Sequence, residues 1–256
     1  MSRLLTALLA LLPFAAQADG IAKDWQLGFQ EPVTPVMEQL VWLHDKLLLY
    51  IITAITIFVL VAMVYIALRF NRKANPVPSK TTHNVKLEVI WTVIPVLVLV
   101  AIAIPSVRIH SFMEKQTDGG ITLKITGYQW YWGYEYPDNG GINFESRIIE
   151  DKDLKEGDVR LLSVDNPVVV PVNTKIRVQT TAADVIHAWA IPAFGVKRDA
   201  VPGRLNETWF EATKEGRYYG QCSELCGVKH GFMPIVVDVV SKEKFEEWVA
   251  SKQAAK

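Results

Sequence analysis

Cys222-Ser-Glu-Leu-Cys226-Gly-Val-Lys-His230-Gly-Phe-Met233 leads directly into Pro234-Ile-Val-Val-Asp-Val-Val240, so a polar loop carrying two thiols, an imidazole and a thioether precedes a β-branched apolar run. The run reads as a strand, and the loop as the connection from the strand before it. These are the only two cysteines in the sequence, and a second imidazole, His187, lies upstream between apolar segments. Thiolate, thioether and imidazole make a soft ligand set. Copper accepts all three, a long weak bond to Met is typical of electron-transfer copper, and zinc has no use for the thioether. Two other readings of the same residues stand beside this one. Two cysteines at this spacing in an exported chain can close a small disulfide loop. Cys222, Cys226, His230 and His187 also have the ligand types of a closed tetrahedral zinc site.

Around the loop, from residue 109 onward, short runs rich in Val, Ile, Thr, Tyr and Trp alternate with Gly, Pro, Asn and Asp, the pattern of antiparallel β structure. Strands are expected at 121–127, 130–136, 159–164, 175–181, 185–190, 208–212, 217–221 and 234–240. That spacing predicts a sandwich or Greek-key barrel, with His187 in one strand region and residues 222–233 joining the last two strands. Behind Ser241-Lys-Glu243, the residues Phe245, Trp248 and Val249 recur at helical spacing and predict a short terminal helix.

Residues 1–109 are of another kind. Residues 1–18 combine an early Arg3, an apolar core and the ending Ala16-Gln17-Ala18, the form of a cleaved secretory signal. Two uncharged apolar stretches, 47–68 and 89–107, are each long enough to cross a bilayer, which needs about 20 residues. Between them lie Arg69, Arg72, Lys73, Lys80 and Lys86 and no acid, so the positive-inside rule places that loop in the cytoplasm. The expected order is therefore a signal (1–18), a periplasmic segment (19–46), a first span (47–68), a cytoplasmic loop (69–86), a second span (87–108) and a periplasmic domain (109–256). Such a chain belongs in a bacterial inner membrane, crossing it twice. The 256 residues carry no formal net charge, and no overall field draws the chain to nucleic acid.

Local charge is less even. Residues 135–158 hold Glu135, Asp138, Glu145, Glu150, Asp151, Asp153, Glu156 and Asp158 against Arg147, Lys152 and Lys155. A run like this is ordinarily a solvated face, but beside exposed aromatics it also steers a basic protein partner.

Taken together, Cys222-Ser-Glu-Leu-Cys226-Gly-x-x-His230-Gly-x-Met233, Gln129-Trp-Tyr-Trp-x-Tyr-Glu-Tyr136 and Asp199-Ala-x-Pro-Gly-Arg-Leu-Asn206 resemble subunit II of cytochrome c oxidase, in that family's order and over nearly the whole chain. The resemblance implies a two-helix transmembrane hairpin followed by an all-β cupredoxin-like Greek-key barrel or sandwich with a short C-terminal helix. It implies a dinuclear copper A centre, bridged by Cys222 and Cys226, with His187 and His230 as terminal ligands and the Met233 sulfur and Glu224 carbonyl as weak ones. The Glu224 carboxylate is then left for a magnesium or manganese ion at the border with subunit I. Trp130 and Tyr131 become the place where electrons arrive from cytochrome c, Glu135, Asp165 and Asp184 its docking carboxylates, and Glu88 the mouth of a proton path. Partners implied are subunit I, the other oxidase subunits, cytochrome c and the lipid bilayer. In this reading oxygen is reduced to water in subunit I with proton pumping, and this chain has no catalysis of its own. Tyr128 stands where many relatives have histidine. No Cys-x-x-Cys-His is present, so no c-type haem is fused to the chain. Rival readings are a copper-free quinol oxidase subunit, a membrane-tethered copper chaperone on a thioredoxin-like fold, and a metal-free structural oxidase subunit with a disulfide.

Overall fold

The computed structural model describes residues 20–115 and 120–254; the signal expected at 1–18 lies outside them. Helix α1 (Pro35–Trp42) starts behind Thr34, whose Oγ1 accepts from Met37 N at 3.1 Å and donates to Phe194 O at 2.7 Å. It passes through a π-helical turn (Leu43–Leu48) into α2 (Leu49–Arg69), giving one continuous 35-residue helix. Asn84 caps α3 (Val85–Met113), accepting from Lys86 N and Leu87 N. Within α2 no residue is buried, and within α3 only Ile109 is. Helices this long and apolar on every side suit a bilayer. Both run past the hydropathy boundaries, because the start of α1, the π-helical turn and the end of α3 pack on the rest of the protein: Val36, Met37, Leu43 and Ile109 are buried there.

Among the described residues ten strands follow: β1 (Ile121–Tyr128), β2 (Tyr131–Tyr136), β3 (Ile142–Ser146), β4 (Val168–Pro171), β5 (Lys175–Ala182), β6 (His187–Ile191), β7 (Val196–Ala200), β8 (Asn206–Glu211), β9 (Gly216–Gln221) and β10 (Pro234–Val240), and then helix α4 (Lys242–Ala254). One sheet has the order β3-β2-β1-β5-β8, a second β4-β10-β9, and β6 pairs with β7. Trp132, Trp189, Tyr136, Tyr218, Phe194 and Phe210 are fully buried between the layers. Truncating any one aromatic of such a core to Ala typically costs about 3–5 kcal/mol.

The architecture is the expected one, with three local corrections. Residues 159–164 are a turn, not a strand: Val159 N donates to Ser163 Oγ, Ser163 N donates back to Val159 O, and Leu161 takes φ 67°. A serine hydroxyl competing for the backbone displaces the ladder there. The pairs β1–β5 and β4–β10 are parallel, whereas an antiparallel arrangement was expected; the long connections between these strands carry the chain back to the same end. Three strands have no counterpart in the sequence reading: β3, β4 and β7. β4 has four residues, and β7 is Val-Lys-Arg-Asp-Ala, with an exposed charged middle.

Backbone rungs join the two halves. Val33 N donates to Ala193 O at 3.2 Å and Thr213 N donates to Val33 O at 2.9 Å. Phe112 of α3 meets Trp209 edge-on at 5.3 Å, and Arg198 reaches Glu114 at 2.9 Å.

Candidate metal centre

β9 ends at Gln221 and β10 begins at Pro234, so the ladder fixes both ends of the Cys222–Met233 loop. Cys222 N donates to Met233 O at 3.0 Å, closing the loop across its base. Ser223 N donates to Ala188 O at 3.0 Å, fastening the loop to β6, whose first residue is His187. Sequence-distant ligands converge because a loop and a strand are laced together at one end of the sandwich.

The donor atoms lie close. Cys222 Sγ is 3.8 Å from Cys226 Sγ, 3.9 Å from His187 Nδ1 and 3.4 Å from Glu224 O, and Cys226 Sγ is 3.6 Å from His230 Nδ1. Both cysteines are free and buried, their sulfurs in contact but not bonded, an arrangement that does not favour the disulfide reading. His187, Cys222 and Cys226 form a compact cluster suited to a cation. Met233 is buried and His230 half-buried on a short turn, while the Glu224 side chain points to the exposed surface of the loop. Two sulfurs, two Nδ1 atoms and a carbonyl brought this near match the soft donor set of a copper site.

Electrostatics prepare the thiols unequally. Burial opposes ionisation of Cys222, but its hydrogen bond to His187 and the backbone groups of Glu224 and Ala188 outweigh burial and lower its pKa. For Cys226, burial and then the neighbouring Cys222 charge push the pKa up. A cation shared by the two sulfurs relieves that repulsion, because ligand thiols bind as thiolates. Burial likewise disfavours protonated His187, yet bonds to Cys222 and Asp184 leave its pKa raised.

His187 is packed on every side. Its side chain is 0% exposed, Trp132 meets it edge-on at 5.9 Å, and its Nε2 lies 2.9 Å from Asp184 Oδ1. Beneath the ring is Gly127 of β1, where an added Cβ lies 2.7 Å from His187 Cδ2, so only glycine leaves room for the imidazole. Gln129, Gly127, Gly227 and Trp132 are parts of the site that residue-type reasoning missed. Gln129 and Trp132 lie inside the aromatic run Gln129–Tyr136, which was the available signal; no local pattern marks the two glycines.

Trp130 is half-buried, its Nε1 donating to Cys226 O at 3.1 Å beside Gln129 Nε2, which donates to the same oxygen at 2.9 Å. Gly227, at φ 117°, lies under the indole: a Cβ there is 3.0 Å from Trp130 Cζ2. Tyr131 stacks on Tyr128 at 4.7 Å with the Arg147 guanidinium 3.6 Å over its face. The other candidate residues are placed as follows. Glu135 pairs with Lys124 across β1 and β2 at 3.1 Å, Asp165 Oδ1 accepts from Arg147 N at 2.7 Å, and Asp184 is tied to His187. Glu88 is in the first turn of α3, on the hairpin and apart from this cluster.

Comparison with known proteins matches two family models: "Cytochrome C oxidase subunit II, transmembrane domain" over residues 22–109 and "Cytochrome C oxidase subunit II, periplasmic domain" over residues 121–240. A protein of Rickettsia bellii described as a probable cytochrome c oxidase subunit 2 is 55% identical over 228 residues, 89% of this chain and 84% of that protein. Cytochrome c oxidase subunit 2 of Phytophthora megasperma is 48% identical over 237 residues, 91% of this chain and 89% of that protein. The crystal structure of the periplasmic domain of subunit II of cytochrome oxidase of Bradyrhizobium japonicum superposes with a TM-score of 0.51 at 57% identity, covering 55% of this chain and 99% of that domain.

Proposed function

The chain belongs to the cytochrome c oxidase subunit II family, and from that premise we propose how its residues serve the oxidase. It is an inner-membrane protein with two spans and a periplasmic sandwich, and it forms part of a haem-copper oxidoreductase. Electrons come singly from cytochrome c and leave for haem in subunit I. Cys222, Cys226, His187, His230, Met233 and the Glu224 carbonyl hold the metal. The observation that carries this is a spatial chain of donors, His187 Nδ1 to Cys222 Sγ to Cys226 Sγ to His230 Nδ1, in which each atom lies within 4 Å of the next. When bound, dinuclear copper A supplies a one-electron relay.

The chain's own residues do the rest. A loop closed by Cys222 N to Met233 O and fastened by Ser223 N to Ala188 O keeps the ligands still as charge changes. Trp130 receives the electron at the surface and offers its indole N–H to Cys226 O, a short bonded route to a ligand. Glu135 and Asp165, with the acids of 135–158, attract a basic donor, which makes the encounter rate fall as salt rises. The Glu224 carboxylate is assigned a magnesium or manganese ion shared with subunit I. Leu225 and Val228 stand 77% and 86% exposed on the same loop, a surface suited to cover by another subunit. Glu88 is assigned the mouth of a proton path; an oxidase with Glu88→Gln that pumps and turns over normally removes it from that role.

The chaperone reading does not fit the fold, because no α-helix interrupts β1 to β10 among the described residues. Copper content and electron paramagnetic resonance of the full chain, purified in detergent and reloaded with copper, test the proposal. Two coppers sharing one unpaired electron are expected; a chain that takes up no copper after reduction overturns it.

A further inference from the structure

Asp184 receives three hydrogen bonds from three directions. Oδ1 accepts from Val185 N at 2.7 Å and pairs with His187 Nε2 at 2.9 Å, while Oδ2 accepts from Gln129 N at 2.7 Å. The imidazole bond holds the outer nitrogen of a ring whose inner nitrogen faces Cys222 Sγ. The Gln129 bond holds the residue before Trp130, whose indole reaches Cys226 O. One carboxylate thus touches both the ligand imidazole and the aromatic turn, on segments 55 positions apart in sequence.

Resting on the copper reading above, we infer that Asp184 is a positioning residue that fixes the His187 imidazole and ties it to the turn carrying Trp130. An ionised carboxylate only accepts hydrogen bonds. Its partner Nε2 must therefore carry the proton, which leaves the Nδ1 lone pair for the metal. A carboxylate behind a ligand imidazole also makes that ligand more basic and sets its ring plane. The side chain is 32% exposed. With three internal donors on two oxygens, it has little accepting capacity left for a lysine of a docking partner, the role that the family resemblance gave it.

Two variants in the assembled oxidase separate positioning from docking. Asp184→Asn keeps the size but has one acceptor oxygen, so either His187 or Gln129 loses its partner and faces an NH2 group. Asp184→Glu keeps the charge but moves the carboxylate by one methylene. Positioning predicts an altered copper A resonance in both variants and a hold on copper, titrated against a chelator, weakened by about 10- to 100-fold in Asp184→Asn. It further predicts electron arrival slowed in both at saturating cytochrome c. Docking alone predicts unchanged copper signals in both, with a salt-sensitive rise in KM confined to Asp184→Asn; that result overturns the inference. Should Asp184→Asn not assemble, an unchanged resonance in Asp184→Glu overturns it alone. A wild-type oxidase without the copper A resonance overturns the copper reading instead, so the two failures are distinct.

Discussion

The two imidazoles of the site sit in unlike surroundings. His187 opens strand β6, is wholly buried, and is bounded by Gly127, Trp132 and Asp184. His230 is on a three-residue turn inside the loop, half-buried, among exposed neighbours such as Val228 and Phe232. One imidazole is set by the sandwich core and the other by the loop's own conformation. A site built this way has a fixed wall and an adjustable one. The fixed wall rests on the chain's own core, and the adjustable one lies among residues that this chain leaves exposed.

The comparison can be broken outright by Cys222→Ser, which removes the sulfur common to both walls. If Cys222 holds the metal as proposed, its loss should exceed the about 100-fold penalty of a supporting residue, leaving no copper A resonance and no electron acceptance; retention of two coppers would contradict the ligand assignment. Gly127→Ala attacks the fixed wall alone. Its Cβ comes to 2.7 Å of the His187 ring, an overpacking worth about 1–3 kcal/mol. Denaturant unfolding should show that loss together with a shifted copper resonance, and an unshifted resonance would mean that the wall gives way. Gly227→Ala attacks the adjustable side, where φ is 117° and the Cβ comes to 3.0 Å of Trp130. It should cost about 1 kcal/mol and slow electron arrival from cytochrome c several-fold in stopped-flow traces, with the copper resonance kept. If both glycine variants have the same effect on the resonance, the distinction between the walls is lost.

Much of this was legible in the residues. The loop motif, the two apolar stretches and the Val/Ile/Thr/Tyr runs each report on one local period or ligand type, and local signals survive without a fold. What could not be read is what depends on juxtaposition. Nothing in Gly127 announces an imidazole sixty positions away in another strand, and β7, with its Lys-Arg-Asp middle, becomes a strand only because β6 offers it a ladder. For Asp184 the family resemblance spoke only of docking; two of its donors, Val185 N and His187 Nε2, are local, but the third, Gln129 N, is 55 positions away and is brought to it only by folding. The turn at 159–164 was misread for the opposite reason, since its apolar pattern is real but Ser163 captures the backbone first.

Thr34 has a consequence for altitude. Its hydroxyl both starts helix α1 and clasps Phe194 O, while Val33 is pinned to Ala193 and Thr213. The mast that stands in lipid is therefore stepped rigidly into the periplasmic body. Each residue added to an α-helix lifts its end by 1.5 Å and swings it by about 100°. A single insertion between Thr34 and the membrane would change how high the cysteine–histidine cluster rides above the bilayer and which way it faces, with every side chain of the cluster still in place.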